Sequence, residues 1–178
     1  MVGMKTILWA TLTANGNYQR NDPRHPPRPE ALADFAAHAR AAGNFVVGRT
    51  TFEAFAAQAR PADGAPRTPD GGGLGNAIPI VVSRAAPPGV VSARSPKEAL
   101  ALLRERRFAT ALVAGGATLH NAFLAEDLVD ELVIDVAPNL EDDGLKLLLP
   151  KGAFRALALL KQKALGGGVV QLRYDLRA

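Results

Sequence analysis

The chain has 178 residues, a formal net charge of +4 and no cysteine. That length suits one domain with a full core and is short for two, and the missing cysteine excludes disulfides, thiolate nucleophiles and cysteine-ligated zinc or iron–sulfur centres. The basic residues are scattered, aromatics are few, and no run approaches the roughly 20 apolar residues of a membrane span, which argues against a nucleic-acid or membrane partner. No basic segment followed by an apolar stretch opens the sequence. The expectation is one soluble, cytoplasmic domain over residues 1–178 with a small-molecule partner. His25, His38 and His120 are far apart and lack metal-ligand spacing, so no metal is expected.

Ile7 to Leu12 reads as a buried strand, followed by the turn signal Asn15-Gly16 and a Pro-rich stretch, Asn21 to Pro29. From Pro29 the spacing of Leu32, Phe35, Ala36 and Ala39 predicts a helix that Gly43 can close. Phe45 to Val47 is the next strand, and Thr50 followed by Glu53 has the form of a capping box opening a helix with Phe52 and Phe55. The Pro-, Gly- and Asp-rich residues 60–76 form a loop, a candidate lid like the stretch 21–29.

Ile78 to Val82 is a further buried strand ending at Ser83-Arg84. Ser95-Pro96-Lys97-Glu98 combines an N-cap, a proline at the first helical position and an acid in the first turn, which starts a helix running to about Arg107. Ala111 to Val113 is a strand, Thr118 to Leu124 a short helix and Leu132 to Val136 a strand. Segments around Leu147, at Ala156 to Leu160 and at Val169 to Tyr174 then read as strands of an antiparallel return, with Gly166-Gly167-Gly168 between the last two. Alternating strands and helices followed by strand after strand imply an α/β fold. Its sheet is mixed and mostly parallel, with helices on both faces and an antiparallel C-terminal edge.

Two junctions carry the chemistry. At Val47-Gly48-Arg49-Thr50-Thr51-Phe52 and at Ala114-Gly115-Gly116-Ala117-Thr118-Leu119, glycine stands where a buried strand meets a helix start. Free N–H groups and the positive dipole end then face whatever binds there, and phosphate is the natural guest. Two such junctions in one small domain suit a dinucleotide. Simpler readings stand beside this one: Thr50 as an N-cap alone, Arg84 as a solvated strand-end charge, and Gly115-Gly116 as a device for close helix packing. Neither the dinucleotide fingerprint Gly-x-Gly-x-x-Gly nor a phosphate loop ending in Gly-Lys-Ser/Thr occurs.

Four pieces in order resemble the dihydrofolate reductase-like superfamily, and most closely the C-terminal reductase domain of the bifunctional riboflavin-biosynthesis deaminase-reductase. They are Thr13-Ala14-Asn15-Gly16, the Gly48-Arg49-Thr50-Thr51 junction, Gly115-Gly116 with Leu119, and Leu128-Val129-Asp130-Glu131-Leu132 before Pro138. The resemblance implies a dihydrofolate reductase-like fold, a homodimer and NADPH as cofactor. By position it assigns the phosphates to Gly48, Arg49, Thr50 and Thr51 and the adenosine 2′-phosphate to Ser83 and Arg84. It gives Gly115, Gly116, Ala117, Thr118 and Leu119 to the pyrophosphate near the nicotinamide.

Substrate residues depart from that pattern. The riboflavin reductases carry a lysine where this chain has Trp9, an aspartate where it has Asn15 and an acid where it has Ala114. Losing three polar contacts at about 1–3 kcal/mol each weakens recognition of a phosphorylated ribosyl pyrimidine by several kcal/mol. Folate reductases carry an acid on the helix before the Gly-Arg junction, where an ungapped count reaches Leu32; a one-residue gap would bring Asp34 there. On the helical arc Glu30 and Asp34 point toward solvent. Asn15 and Asp34 remain the catalytic candidates, and Trp9 and Asn15 the substrate-binding ones, in a cleft expected between the Asn15 turn and the Gly115 junction. His38 and His120 read as half-exposed helix residues, and Asp130 and Glu131 as organisers of a strand start or an interface. The expected activity is hydride transfer from NADPH to a small, pyrimidine- or pteridine-like heterocycle. The riboflavin-pathway reduction of 5-amino-6-(5-phosphoribosylamino)uracil and a non-catalytic NADP(H)-binding protein are the alternatives.

Overall fold

The computed structural model describes residues 3–20, 22, 24–58, 73–85 and 87–177. Eight strands form one sheet: β1 Lys5–Thr13, β2 Asn44–Gly48, β3 Ile78–Val82, β4 Val91–Ala93, β5 Thr110–Gly115, β6 Glu131–Ala137, β7 Ala158–Gly166 and β8 Val169–Asp175. Their order across the sheet is β4-β3-β2-β5-β1-β6-β8-β7. Pairing is parallel from β4 through to β6, and β8 and β7 close one edge in antiparallel sense. This is the dihydrofolate reductase-like α/β architecture that the sequence implied.

Among the described residues four helices cover the sheet: α1 Pro29–Ala42, α2 Arg49–Gln58, α3 Pro96–Glu105 and α4 Ala117–Ala125. On one face α1 and α2 bury Ile7, Trp9, Phe45, Val47, Leu112 and Val133; on the other α3 and α4 bury Leu8, Val46, Ile80, Val113 and Leu132 against Leu100, Leu103 and Phe123. Both faces being covered explains why β2, β3 and β5 read as continuous apolar runs. Each fully buried Leu or Val side chain contributes about 1.5–3 kcal/mol.

Helix ends follow local chemistry. Gly43 closes α1 at φ 72°, a left-handed conformation that favours glycine, and its N–H donates to Ala39 O. Ser95 caps α3, its hydroxyl accepting from Glu98 N at 3.2 Å. The capping box expected at Thr50 does not form. Strand β2 passes directly into α2 at Arg49, and the Glu53 carboxylate accepts from Arg49 Nε at 2.7 Å instead of reaching back to the backbone.

Other expectations need correction. The buried face of α1 is Ala31, Phe35 and Ala39, while Leu32 is 43% exposed. Glu30 and Asp34 face not solvent but the β7–β8 hairpin. Asp34 accepts from Lys163 Nζ at 2.7 Å and Gln171 Nε2 at 2.9 Å, and a Cβ on Gly167 would lie 2.6 Å from Glu30 Oε1. The segment around Leu147 is irregular, the strand expected at Ala156 starts at Ala158, and β4 went unread. Asp130 and Glu131 do organise the start of β6: Asp130 accepts from Thr6 N at 2.7 Å, and Glu131 pairs with Lys5 and Arg173. Of the candidate lid at 60–76, residues 60–72 lie outside the described residues, and 73–76 form a turn. No described helix is long and apolar enough to cross a membrane.

Candidate functional site

Strand β2 and strand β5 are parallel neighbours, with Val47 opposite Gly115, so the two glycine junctions emerge side by side at the C-terminal edge of the sheet. In open α/β sheets ligands bind along that edge. Gly115 has φ 124°, and Gly116 precedes α4 as a cap residue with no side-chain hydrogen bond. The Gly115–Gly116 peptide is cis. A Cβ on Gly116 would stand 2.9 Å from Thr51 Oγ1, so the second junction can approach α2 this closely only as glycine. The N-termini of α2 and α4 therefore converge, and their first-turn N–H groups add positive potential at one place.

Cations flank this point. Arg49 is half-exposed and shares its guanidinium between Glu53 and the Ala85 carbonyl, the latter at 3.5 Å. Next along the edge, Ser83 Oγ donates to Ala85 O at 3.0 Å, and Arg84 is exposed. This row of groups runs from the convergence outward along β2 and β3.

Inward from the junctions lies a cleft of about 250 Å³. Its walls include Trp9 and Tyr18, Leu32 and Phe35 from α1, Thr51 and Phe55 from α2, and the backbone of Ala114 to Ala117. The Trp9 ring packs edge-on against Phe35, with centroids 5.8 Å apart, and lies against His38 at 4.6 Å. Its Nε1 donates to Asp135 Oδ2 at 2.8 Å, and Gln171 Nε2 donates to Asp135 Oδ1 at 2.8 Å. Burial pushes the Asp135 carboxyl above its ordinary range, with the two donors opposing that rise. For Asp34 burial acts the same way, but the hydrogen bonds from Lys163 and Gln171 outweigh it and hold the carboxyl below its usual value.

The cleft contains a pair that periodicity did not show. His120 is 1% exposed, not half-exposed as expected. Its Nδ1 lies 2.6 Å from Tyr18 Oη and its Nε2 lies 3.2 Å from Val113 O. Burial pushes the His120 pKa down to about 4, with the Val113 hydrogen bond opposing it, and burial also raises that of Tyr18. Tyr18 and His120 are 102 positions apart, which hides the contact from any local pattern.

Of the residues singled out from sequence, Trp9, Thr51, Gly115, Gly116 and Ala117 line the cleft. Gly48 lies outside the wall, where a Cβ would stand 3.8 Å from Gly115 O, and Leu119 is buried. Arg49, Thr50 and Thr118 are exposed at the helix starts. Asn15 is not in the cleft wall. Its amide is engaged by the following loop, donating to Glu141 O at 2.7 Å and accepting from Thr13 Oγ1 at 2.7 Å. Asp34 likewise points into the hairpin contacts, away from the cleft. Pro27 and Arg28 from the Pro-rich stretch do reach the wall.

Comparison with known proteins agrees with this fold. The family described as RibD C-terminal domain matches residues 7–171. Among solved structures, a pyrimidine reductase-like protein from Corynebacterium diphtheriae superposes with TM-score 0.71 at 17% identity, covering 97% of this chain and 92% of that one. The deaminase and 5-amino-6-(5-phosphoribosylamino)uracil reductase of Thermotoga maritima gives TM-score 0.69 at 17% identity, covering 98% of this chain and 57% of its own longer chain. The riboflavin biosynthesis reductase of Saccharomyces cerevisiae gives TM-score 0.64 at 18% identity, covering 99% and 91%. No curated protein matches.

Proposed function

Because the chain belongs to the RibD C-terminal domain family, we propose that it is an NADPH-dependent reductase acting on a small, planar, pyrimidine- or pteridine-like heterocycle. The observation that carries this reading is the convergence of the α2 and α4 N-termini at Thr51 and Gly116, beside an aromatic cleft. The residues present fit the cofactor. Gly48 lets the backbone approach the phosphates, and Thr50, Thr51 and the first turn of α4, including Thr118 and Leu119, offer them backbone N–H groups. Arg49 adds a charge-paired donor, and this reading gives the 2′-phosphate to the Ser83 hydroxyl and the exposed Arg84 guanidinium.

When bound, NADPH supplies the hydride. The chain's own part is to hold and orient: the Gly115-Gly116 backbone admits a flat ring, and Trp9, Leu32 and Phe35 bury an apolar acceptor and keep water from it. Since Asn15 and Asp34 are engaged elsewhere, neither serves as proton donor in this reading.

The cleft wall is neutral at Trp9 and Ala114, where the riboflavin reductases carry charged groups, and its cation is Arg28 from a different segment, so this reading takes the acceptor to differ from a phosphoribosyl pyrimidine. Complementation of a strain lacking the riboflavin-pathway reductase separates the two: clean rescue refutes the departure from that substrate. The direct test is fluorescence titration with NADPH and NADH, using Trp9, the single tryptophan. Micromolar NADPH binding that weakens about tenfold in Arg49→Ala supports the reading. Absence of binding to either nucleotide refutes it. A homodimer belongs to the same reading: β7 ends the sheet, and Leu159 and Leu160 on it are more than half exposed, at 53% and 51%. Light scattering of the purified protein decides that point.

A further inference from the structure

We propose that His120 fixes the direction of the Tyr18 hydroxyl, so that Tyr18 offers the cleft only lone pairs and selects ligands that carry an N–H there. The inference rests on the cleft being the ligand site. It begins with the Val113 carbonyl. A carbonyl oxygen only accepts, so the His120 Nε2 facing it at 3.2 Å must carry a proton. Turning the ring over would put carbon atoms against both Tyr18 Oη and Val113 O, so the ring orientation is determined by its two polar contacts.

The remaining question is whether Nδ1 also carries a proton. Among the described residues the ring's polar contacts are Tyr18 and Val113 alone, and no carboxylate touches it. A fully buried imidazolium without a counter-charge is strongly disfavoured, so the ring is neutral. Nδ1 is therefore bare, and the 2.6 Å contact is the Tyr18 O–H donating to it. With its only proton committed, the phenol oxygen has nothing left to donate. Toward the cleft, which both residues line, it can only accept.

That polarity is a specificity device. A ligand presenting a primary amide or ring amine at this point gains a hydrogen bond; one presenting a carbonyl meets lone pair against lone pair, and one presenting a methyl group leaves the oxygen unpaired. Two sources carry such an N–H: the carboxamide of a nicotinamide and an amino group on the heterocycle. Tyr18 acts on binding, and His120 is a positioning residue that works through it.

The test has two arms on one sample labelled with ¹⁵N at histidine. Nitrogen chemical shifts at neutral pH should show His120 neutral with its proton on Nε2. A proton on Nδ1 overturns the proposal whatever binds, so this arm stands apart from the cofactor reading. The second arm titrates two isosteric pairs, NADPH against its 3-acetylpyridine analogue and 6-aminouracil against 6-methyluracil, each exchanging an amino group for a methyl. Wild-type protein should prefer the amino member of one pair by about tenfold, and which pair it is names the source. Tyr18→Phe should abolish that preference; His120→Leu, which leaves Tyr18 in place but frees its proton, should keep it while losing the discrimination against barbituric acid, which presents a carbonyl in place of the amino group. Equal affinities within both pairs, or a preference that survives Tyr18→Phe, overturn the proposal. If NADPH and both uracils fail to bind, the ligand reading falls, and the shift data alone then decide the direction of the hydroxyl.

Discussion

Asp135→Asn isolates the hydrogen-bond network behind Trp9. The Asp135 carboxylate is fully buried, and each oxygen accepts one N–H: Trp9 Nε1 on one side and Gln171 Nε2 on the other, both at 2.8 Å. Both contacts are donations to the carboxyl, and they favour its ionised form against the burial that disfavours it. Asparagine keeps the shape but turns one of the two oxygens into an NH₂ group, so one buried donor faces another. Gln171 cannot resolve this by rotating its amide, because its Nε2 also serves Asp34 Oδ2 at 2.9 Å, and rotation would set oxygen against that carboxylate. An unmet buried donor costs about 1–3 kcal/mol, and the relief of a desolvated charge offsets part of it, for a net loss of about 2 kcal/mol. With a urea slope of about 2 kcal/mol/M, the midpoint falls by about 1 M. Equilibrium unfolding followed through Trp9 at neutral pH measures it, with circular dichroism as a second probe of two-state behaviour. If Asp135→Asn matches wild type in midpoint and slope, a neutral group satisfies both donors, and the ionised acceptor is the wrong description.

Ser95→Ala removes the cap of α3 and should cost about 1 kcal/mol, lowering the melting temperature by roughly 2–4 °C in calorimetry. Gly116→Ala brings a Cβ to within 2.9 Å of Thr51 Oγ1 and should destabilise by about 1–3 kcal/mol; a denaturation cycle with Thr51→Ala should recover part of that, and strict additivity would refute the contact. Asp34 has a folded pKa below its unfolded one, so its contribution is present above the unfolded value near pH 4 and is lost as pH falls through the folded value. Unfolding profiles between pH 2 and pH 6 should therefore be shallower in Lys163→Met, which removes the nearest cation.

What the sequence disclosed and what it withheld divide by range. Buried runs such as Ile78 to Val82, the Ser95 cap and the glycine junctions are settled by neighbours along the chain, and all appear where local chemistry puts them. The convergence of the two junctions was implied by resemblance, but its cause, the pairing of β2 with β5, is a matter of strand order. The side of α1 carrying Glu30 and Asp34 looked solvated because the residues that cover it, Lys163, Gly167 and Gln171, arrive about 130 positions later. His120 misled for the same reason. Asn15 drew attention because it stands where the riboflavin reductases carry an aspartate, yet the Glu141 loop already uses it. The run at Leu147 has strand composition without a partner strand to pair with, and β4 is a three-residue element too short to show a period.

The sheet order also dictates when the fold can be completed during synthesis. Strand β1 leaves the ribosome well before its hydrogen-bonding neighbours, β5, beginning at Thr110, and β6, beginning at Glu131. Until Thr110 and then Glu131 have been made, an apolar segment, Ile7 to Leu12, must wait with both backbone edges open. Loops this long are costly to close before any pairing energy is gained, so refolding should be slow and the waiting strand should be the nucleus of aggregation. The central position of β1 makes the native sheet cohesive, and the same position leaves the nascent chain with its most vulnerable segment exposed the longest.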